Sequence, residues 1–136
     1  MQEAHAPGDP VVLDLDSEPG ADLVKVQLHI ACVPDRTEML LSFDRTLQAL
    51  GSEKRAPITH GFDSTEPDVG YMNRTTGGKD VALQNEQVFP ILRNMANARQ
   101  WFVIAADQQH TIIRAVFNVS GFDLQLPKIQ KACHWQ

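Results

Sequence analysis

The side chains of this 136-residue chain that could do chemistry are its five histidines, its two cysteines, its serines and its many carboxylates. His5, His29, His60, His110 and His134 stand apart: none is four residues from another histidine or from a cysteine, as a metal pair on one helix face requires. His134 adjoins Cys133, but neighbours on a helix point in different directions. Surface or turn histidines are the plainer reading. Ser42, Ser52, Ser64 and Ser120 lie in no G-x-S-x-G setting that would raise a nucleophile at a strand-to-helix turn. No carboxylate pair singles itself out as an acid and a base.

Two stretches invite a ligand and depart from its pattern. Asp14, Asp16, Glu18 and Asp22 resemble the acidic run of a calcium loop, but the required glycine is missing and Lys25 stands where the bidentate glutamate belongs. A solvated turn fits better. Thr75–Asp80 (TTGGKD) suggests a phosphate loop, but its spacing from Gly70 is wrong and Asp80 follows the lysine in place of Ser or Thr. A hairpin loop is the simpler reading. Beside it, Tyr71, Asn73 and Arg74 form a polar-aromatic patch, which is either a partner-binding surface or a solvated loop edge. Asn73 and Asn118 begin glycosylation sequons, a pattern common by chance. Cys32 and Cys133 have no C-x-x-C spacing and make a poor zinc site. They are either two buried thiols or a bridge closing a loop of about 100 residues, for which chain entropy gives roughly 4.7 kcal/mol.

The elements that would position these residues are clearest from Trp101 to Trp135. Trp101–Ala106 is a compact apolar run and 107–110 (DQQH) a polar turn. From Thr111 to Val119 the residues alternate, with Ile113, Ala115, Phe117 and Val119 on one side and Arg114 and Asn118 on the other, the period of a half-buried strand. Beyond Ser120-Gly121, Phe122, Leu126, Ile129 and Cys133 recur at helical spacing. A hairpin with a helix folded back onto it is expected, structural in role, with Trp135 anchoring its end. Pro127 either opens that helix or removes one early hydrogen bond.

Upstream, Val11–Asp16 and Arg36–Phe43 read as strands, and Asp22–Val33 as the best strand, with Val24, Val26, Leu28, Ile30 and Cys32 inward. Asp44–Lys54 fits a helical turn or a strand running into a loop. Ala56–Phe62 and Val69–Asn73 are weaker strands, joined by a turn-rich Asp63–Asp68. Asn85–Ala98 reads as a helix with an apolar stripe at Val88, Ile91, Leu92 and Met95, and Pro90 moves its start towards Phe89.

The chain is 43% hydrophobic and 21% charged, which suits one packed domain. A net charge of −5 and a pI near 5.4 argue against nucleic acid or an anionic membrane as partner. No apolar run approaches the roughly 20 residues that span a bilayer. Residues 1–10 are polar, lack the apolar core of a signal peptide, and read as a flexible N-terminus. Two histories fit: a cytoplasmic protein, or a mature form whose signal has been removed.

From Asn73 to Trp135 the chain resembles the VasI-type family associated with bacterial type VI secretion. The likeness lies in the polar Asp80–Ala98 segment leading into the apolar strand Trp101–Ala106, the strand end from Ala115-Val116-Phe117 to Gly121, and the terminal Ala132-Cys133-His134-Trp135. The family's earlier cysteine looks like Cys32 in LHIACVPDRTEMLL, which extends the likeness back to about Asp22. Residues 51–68 show no correspondence, and Tyr71 or Met72 replaces the family's tryptophan. A more distant likeness is to IalB-type invasion-associated proteins, which share the Gly-Phe opening of the last helix.

The resemblance implies a Cys32–Cys133 disulfide, export, a sandwich-like β fold with a C-terminal helix, and neither cofactor nor assigned enzymatic activity. The expectation is therefore an α+β, mainly antiparallel β, sandwich-like single domain over 11–136, with a mid-chain helix and a short C-terminal helix. In function it is expected to be a non-enzymatic, periplasmic or secreted protein-binding module, accessory to a type VI secretion system. An immunity or inhibitor protein that blocks a toxin is the alternative, and a hydrolase with a site assembled from distant residues is the second. Tyr71, Asn73 and Arg74 are the candidate partner-binding residues, and the partner is a protein.

Overall fold

A computed structural model describes residues 2–3, 11–20, 23–33, 36–49, 54–63, 65–75 and 77–133. Alternation of apolar and polar residues makes most of this chain strand. The strands are β1 (Gln2–Glu3), β2 (Val11–Asp16), β3 (Gln27–Val33), β4 (Arg36–Ser42), β5 (Arg55–Phe62), β6 (Asp68–Arg74), β7 (Asp80–Gln84), β8 (Gln100–Ala106) and β9 (Ile112–Asn118). All nine lie in one sheet, in the order β1-β2-β3-β4-β7-β6-β5-β8-β9, and every pairing is antiparallel.

The sheet curls until its ends nearly meet. The segment between β2 and β3 reaches β9, where Glu18 N donates to Val116 O and Val24 N to Arg114 O. The result is barrel-like, with one continuous sheet in place of the two facing sheets of the expected sandwich. Closure removes exposed strand edges, and a short corner makes it possible. Ser17 is buried there; its Oγ accepts from Val26 N at 2.8 Å and donates to Val24 O. That corner is also why β3 begins at Gln27, five residues later than its alternation suggests.

Inward positions follow the period of two. Met39, Leu41, Ile58, Met72, Val81, Leu83, Trp101, Val103, Ile113 and Phe117 are all buried in one core. A short 3₁₀ turn (Asn85–Gln87) leads into α1 (Phe89–Met95), where Pro90 occupies the first turn and needs no N–H partner. Helix α2 (Phe122–Ala132) packs against α1 and β2. The helices add Ile91, Leu92, Met95, Phe122 and Ile129 to the core, with Leu126 and Cys133 packed against it. Pro127 lies inside α2 and so removes one hydrogen bond without shortening the helix.

The start of the polar Asp80–Ala98 segment is strand β7, whose inward Val81 and Leu83 pair with Leu41 and Met39. The ambiguous segment after β4 forms no helix through 49, and Leu47 bridges to Asp107 at the end of β8. That switch of partner explains Pro57, which lacks an N–H and lies beyond Thr59–Ile104, the last pair of β5 with β8. At the other terminus, Gln2 and Glu3 of the N-terminal stretch pair with Asp14 and Leu13. The anchoring role of Trp135 concerns a residue outside the described ones.

Candidate binding face

Strand β6 sits between β5 and β7 near the middle of the sheet, so the side chains on its outer face have neighbours on both sides. Tyr71 and Asn73 point outward beside Pro57 and Arg55 of β5. The Arg55 guanidinium stands 5.8 Å from the centre of the Tyr71 ring, within cation–π range. Arg74, one residue further, points to the opposite side. Its Nη1 donates to Leu47 O at 2.8 Å, and the side chain lines a depression beside the Gly77-Gly78 turn. The structure therefore keeps Tyr71 and Asn73 together and separates Arg74 from them, as the period of a strand requires.

The outer face extends from Tyr71 across β5 to β8 and β9. Val69 pairs with Thr59, Thr59 with Ile104, and Ile104 with Arg114, while Phe102 pairs with Val116 and Ala106 with Ile112. Tyr71 is 48% exposed, Val69 58% and Ile112 55%, so three of the four large exposed hydrophobics among the described residues share this face. The outward positions of β6, β5, β8 and β9 include Arg55 and Arg114 and no carboxylate. The Phe102 ring is itself committed to the fold: it covers Gly61, where an added Cβ would lie 2.7 Å from it.

The sequence singles out Tyr71 and Asn73 for binding and Arg114 only as an outward strand residue; Arg55, Val69, Ile104 and Ile112 are missed as members of the same surface. The available signal was the unburied half of each alternating strand. Which strands stand side by side, and hence which unburied halves merge, is a property of sheet order.

The remaining chemically capable residues are dispersed. Cys32, at the end of β3, is disulfide-bonded to Cys133, which caps α2. His29 pairs with Asp14 across β3 and β2, a base with its orienting carboxylate. Among the described residues no hydroxyl or thiol hydrogen-bonds to that imidazole. His60 faces inward, where Trp101 Nε1 donates to its Nδ1 at 3.4 Å and Gly70 leaves room for the ring. Burial pushes its pKa below the ordinary 6.5, against the opposing pull of Asp68. His110 is exposed in the turn after β8; His5 and His134 lie outside the described residues, as do Ser52 and Ser64. Ser42 lies on β4 and Ser120 in the turn before α2. The acidic run is no loop: Asp14 and Asp16 lie on β2, where Asp16 accepts from Gln27, and Asp22 is outside the described residues. No group of three His, Cys, Asp or Glu side chains among the described residues could hold a metal ion. No helix among them is long and apolar enough to cross a membrane.

Comparison with protein families, with curated proteins and with solved structures finds no match to this chain.

Proposed function

We propose that this protein is an extracytoplasmic protein-binding module, and that the outer face of β6, β5, β8 and β9 is its docking surface. The single observation that carries the reading is the exposed cluster around Tyr71, with Arg55 over its ring and Val69 and Ile112 on the same face. Exposed tyrosine and arginine on an apolar ground are the residue types that dominate binding energy at protein interfaces. The disulfide supports an oxidising compartment, the periplasm or the exterior, because such bonds are rare in the cytosol. The likeness to VasI-type proteins supports a role as an accessory of a type VI secretion system.

The face also defines its partner. Tyr71 with Arg55 over its ring, beside Val69 and Ile112, calls for a partner with an exposed apolar patch. The outer side of a curled sheet is convex. A convex, arginine-bearing face suits an accessory contact better than a plug for a toxin's active site.

The test is titration of the purified chain against the exported products of a neighbouring secretion cluster. Tyr71→Ala should weaken binding at least about thirtyfold, the loss of an interface hot spot. Leu124→Ser, a change at the exposed apolar residue of α2, should leave it unchanged. Equal affinities for the wild type and Tyr71→Ala would overturn the assignment of this face.

A further inference from the structure

We propose that the depression beside the β6–β7 hairpin is a binding site for a phosphoryl group carrying two negative charges. It is an open hollow of about 630 Å³, and Lys54 and Arg74 bring its only charges among the described residues. The other two depressions described are balanced internally. In one, Lys25 and Lys79 face Asp44 and Asp80; in the other, Arg45 faces Asp107. Of these three, the Lys54–Arg74 hollow alone has cations and no carboxylate among its described lining residues.

The arginine is built in. Its Nη1 is held by Leu47 O, which fixes the guanidinium, while its buried Nε finds no hydrogen-bond partner. That Nε has no exposed surface, so an oxyanion in the hollow would meet the part of the side chain that lines it. Gly78 packs directly against this group: a Cβ there would stand 3.0 Å from Nη1 and 3.1 Å from Cγ2 of Thr46. Gly77 and Gly78 have φ of +95° and +74°, so the turn both requires glycine and leaves the approach to the arginine open. Thr46 and Gln108 add neutral donors to the rim, while the Thr75 hydroxyl already donates to Asp80 O at 3.4 Å. A fixed guanidinium, a mobile ammonium and neutral donors together recognise a dianion better than a carboxylate. The arrangement is not a phosphate loop, since no helix follows the glycines: β7 begins at Asp80.

The test uses the nitrogen-labelled full chain titrated with inorganic phosphate, with sodium acetate and sodium chloride at matched ionic strength as the other arms. Phosphate should produce saturable amide shifts at Gly77, Gly78 and Arg74, and the other salts should not. Lys54→Gln should weaken phosphate binding about tenfold, the loss of one charge-assisted contact. Lys25→Gln, in the neighbouring balanced hollow, should leave the affinity unchanged. Lys54 is exposed, so its variant should melt as the wild type does. Failure of phosphate to saturate, equal shifts with acetate, or unaltered affinity in Lys54→Gln would each overturn the proposal.

Discussion

Cys32, in the penultimate position of β3, is bonded to Cys133, which caps α2 after 101 intervening steps of sequence. The bond ties the last helix to the sheet across nearly the whole chain. A loop of that length stabilises by about 4.7 kcal/mol in the chain-entropy model, and removal of native disulfides generally costs about 2–5 kcal/mol. Urea melts with and without reductant, or of Cys32→Ala with Cys133→Ala, should show a loss in that range. Amides of α2 should lose the most protection from exchange. An unchanged midpoint on full reduction would contradict the helix-tethering role.

Ser17 should be equally revealing at the barrel seam. Its Oγ is the partner of Val26 N in a buried corner. Ser17→Ala leaves that N–H without an acceptor and should destabilise by about 1–3 kcal/mol. Ser17→Thr keeps the hydroxyl and should recover part of the loss. Denaturation midpoints of the three proteins decide the matter.

Gly61 and Phe102 form a cross-strand pair in which the ring replaces the missing side chain. Gly61→Ala places a methyl 2.7 Å from the ring and 3.3 Å from Pro67 Cα. Overpacking of this kind should cost about 1–3 kcal/mol. Phe102→Ala in the same background should relieve the clash, so the two changes should be non-additive in a double-mutant cycle.

His60 gives the stability a pH dependence of known sign. Burial lowers its pKa in the folded state below the 6.5 of a free imidazole. Between the two values the unfolded chain binds more protons than the folded one, so stability falls as pH is lowered below about 6.5. The penalty is fully developed once pH lies below the folded-state pKa. Asp68 faces His60 across β5 and β6 and partly offsets the effect. Urea midpoints of the wild type and His60→Gln from neutral to mildly acid pH should converge as pH falls. Parallel curves would mean that the imidazole titrates freely.

Tyr71→Ala should change stability by less than about 0.5 kcal/mol, since the ring is 48% exposed and contributes little to the core. A larger loss would mark the ring as structural and weaken its assignment to docking. This measurement is independent of the binding titration.

How far the sequence spoke for itself differs from element to element. The alternation in 111–119 and the four-three-four spacing from Phe122 to Cys133 located β9 and the buried stripe of α2, because burial on one side imposes a period. It did not reveal β7. A five-residue strand with two inward residues carries little periodicity, and it exists because β4 and β6 offer hydrogen bonds on both sides. Pairing of Cys32 with Cys133 came from resemblance, since two cysteines alone allow free thiols equally well.

The candidate sites show the same division. Tyr71 and Arg114 were readable as outward residues of their own strands. That they lie on one face follows from the sheet order β6-β5-β8-β9, which joins strands distant in sequence. Arg74 is adjacent to Asn73 in the chain, yet it belongs to a different surface because successive strand residues point to opposite sides. Closure as a barrel instead of a sandwich was likewise decided in three dimensions. It rests on the Ser17 corner and on two backbone hydrogen bonds to β9, contacts between residues about 90 to 98 positions apart that no local pattern encodes. Local spacing thus determined which residues are buried. Only the tertiary structure decided which exposed ones share a surface, because side-chain direction is set within a strand and neighbourhood is set between strands.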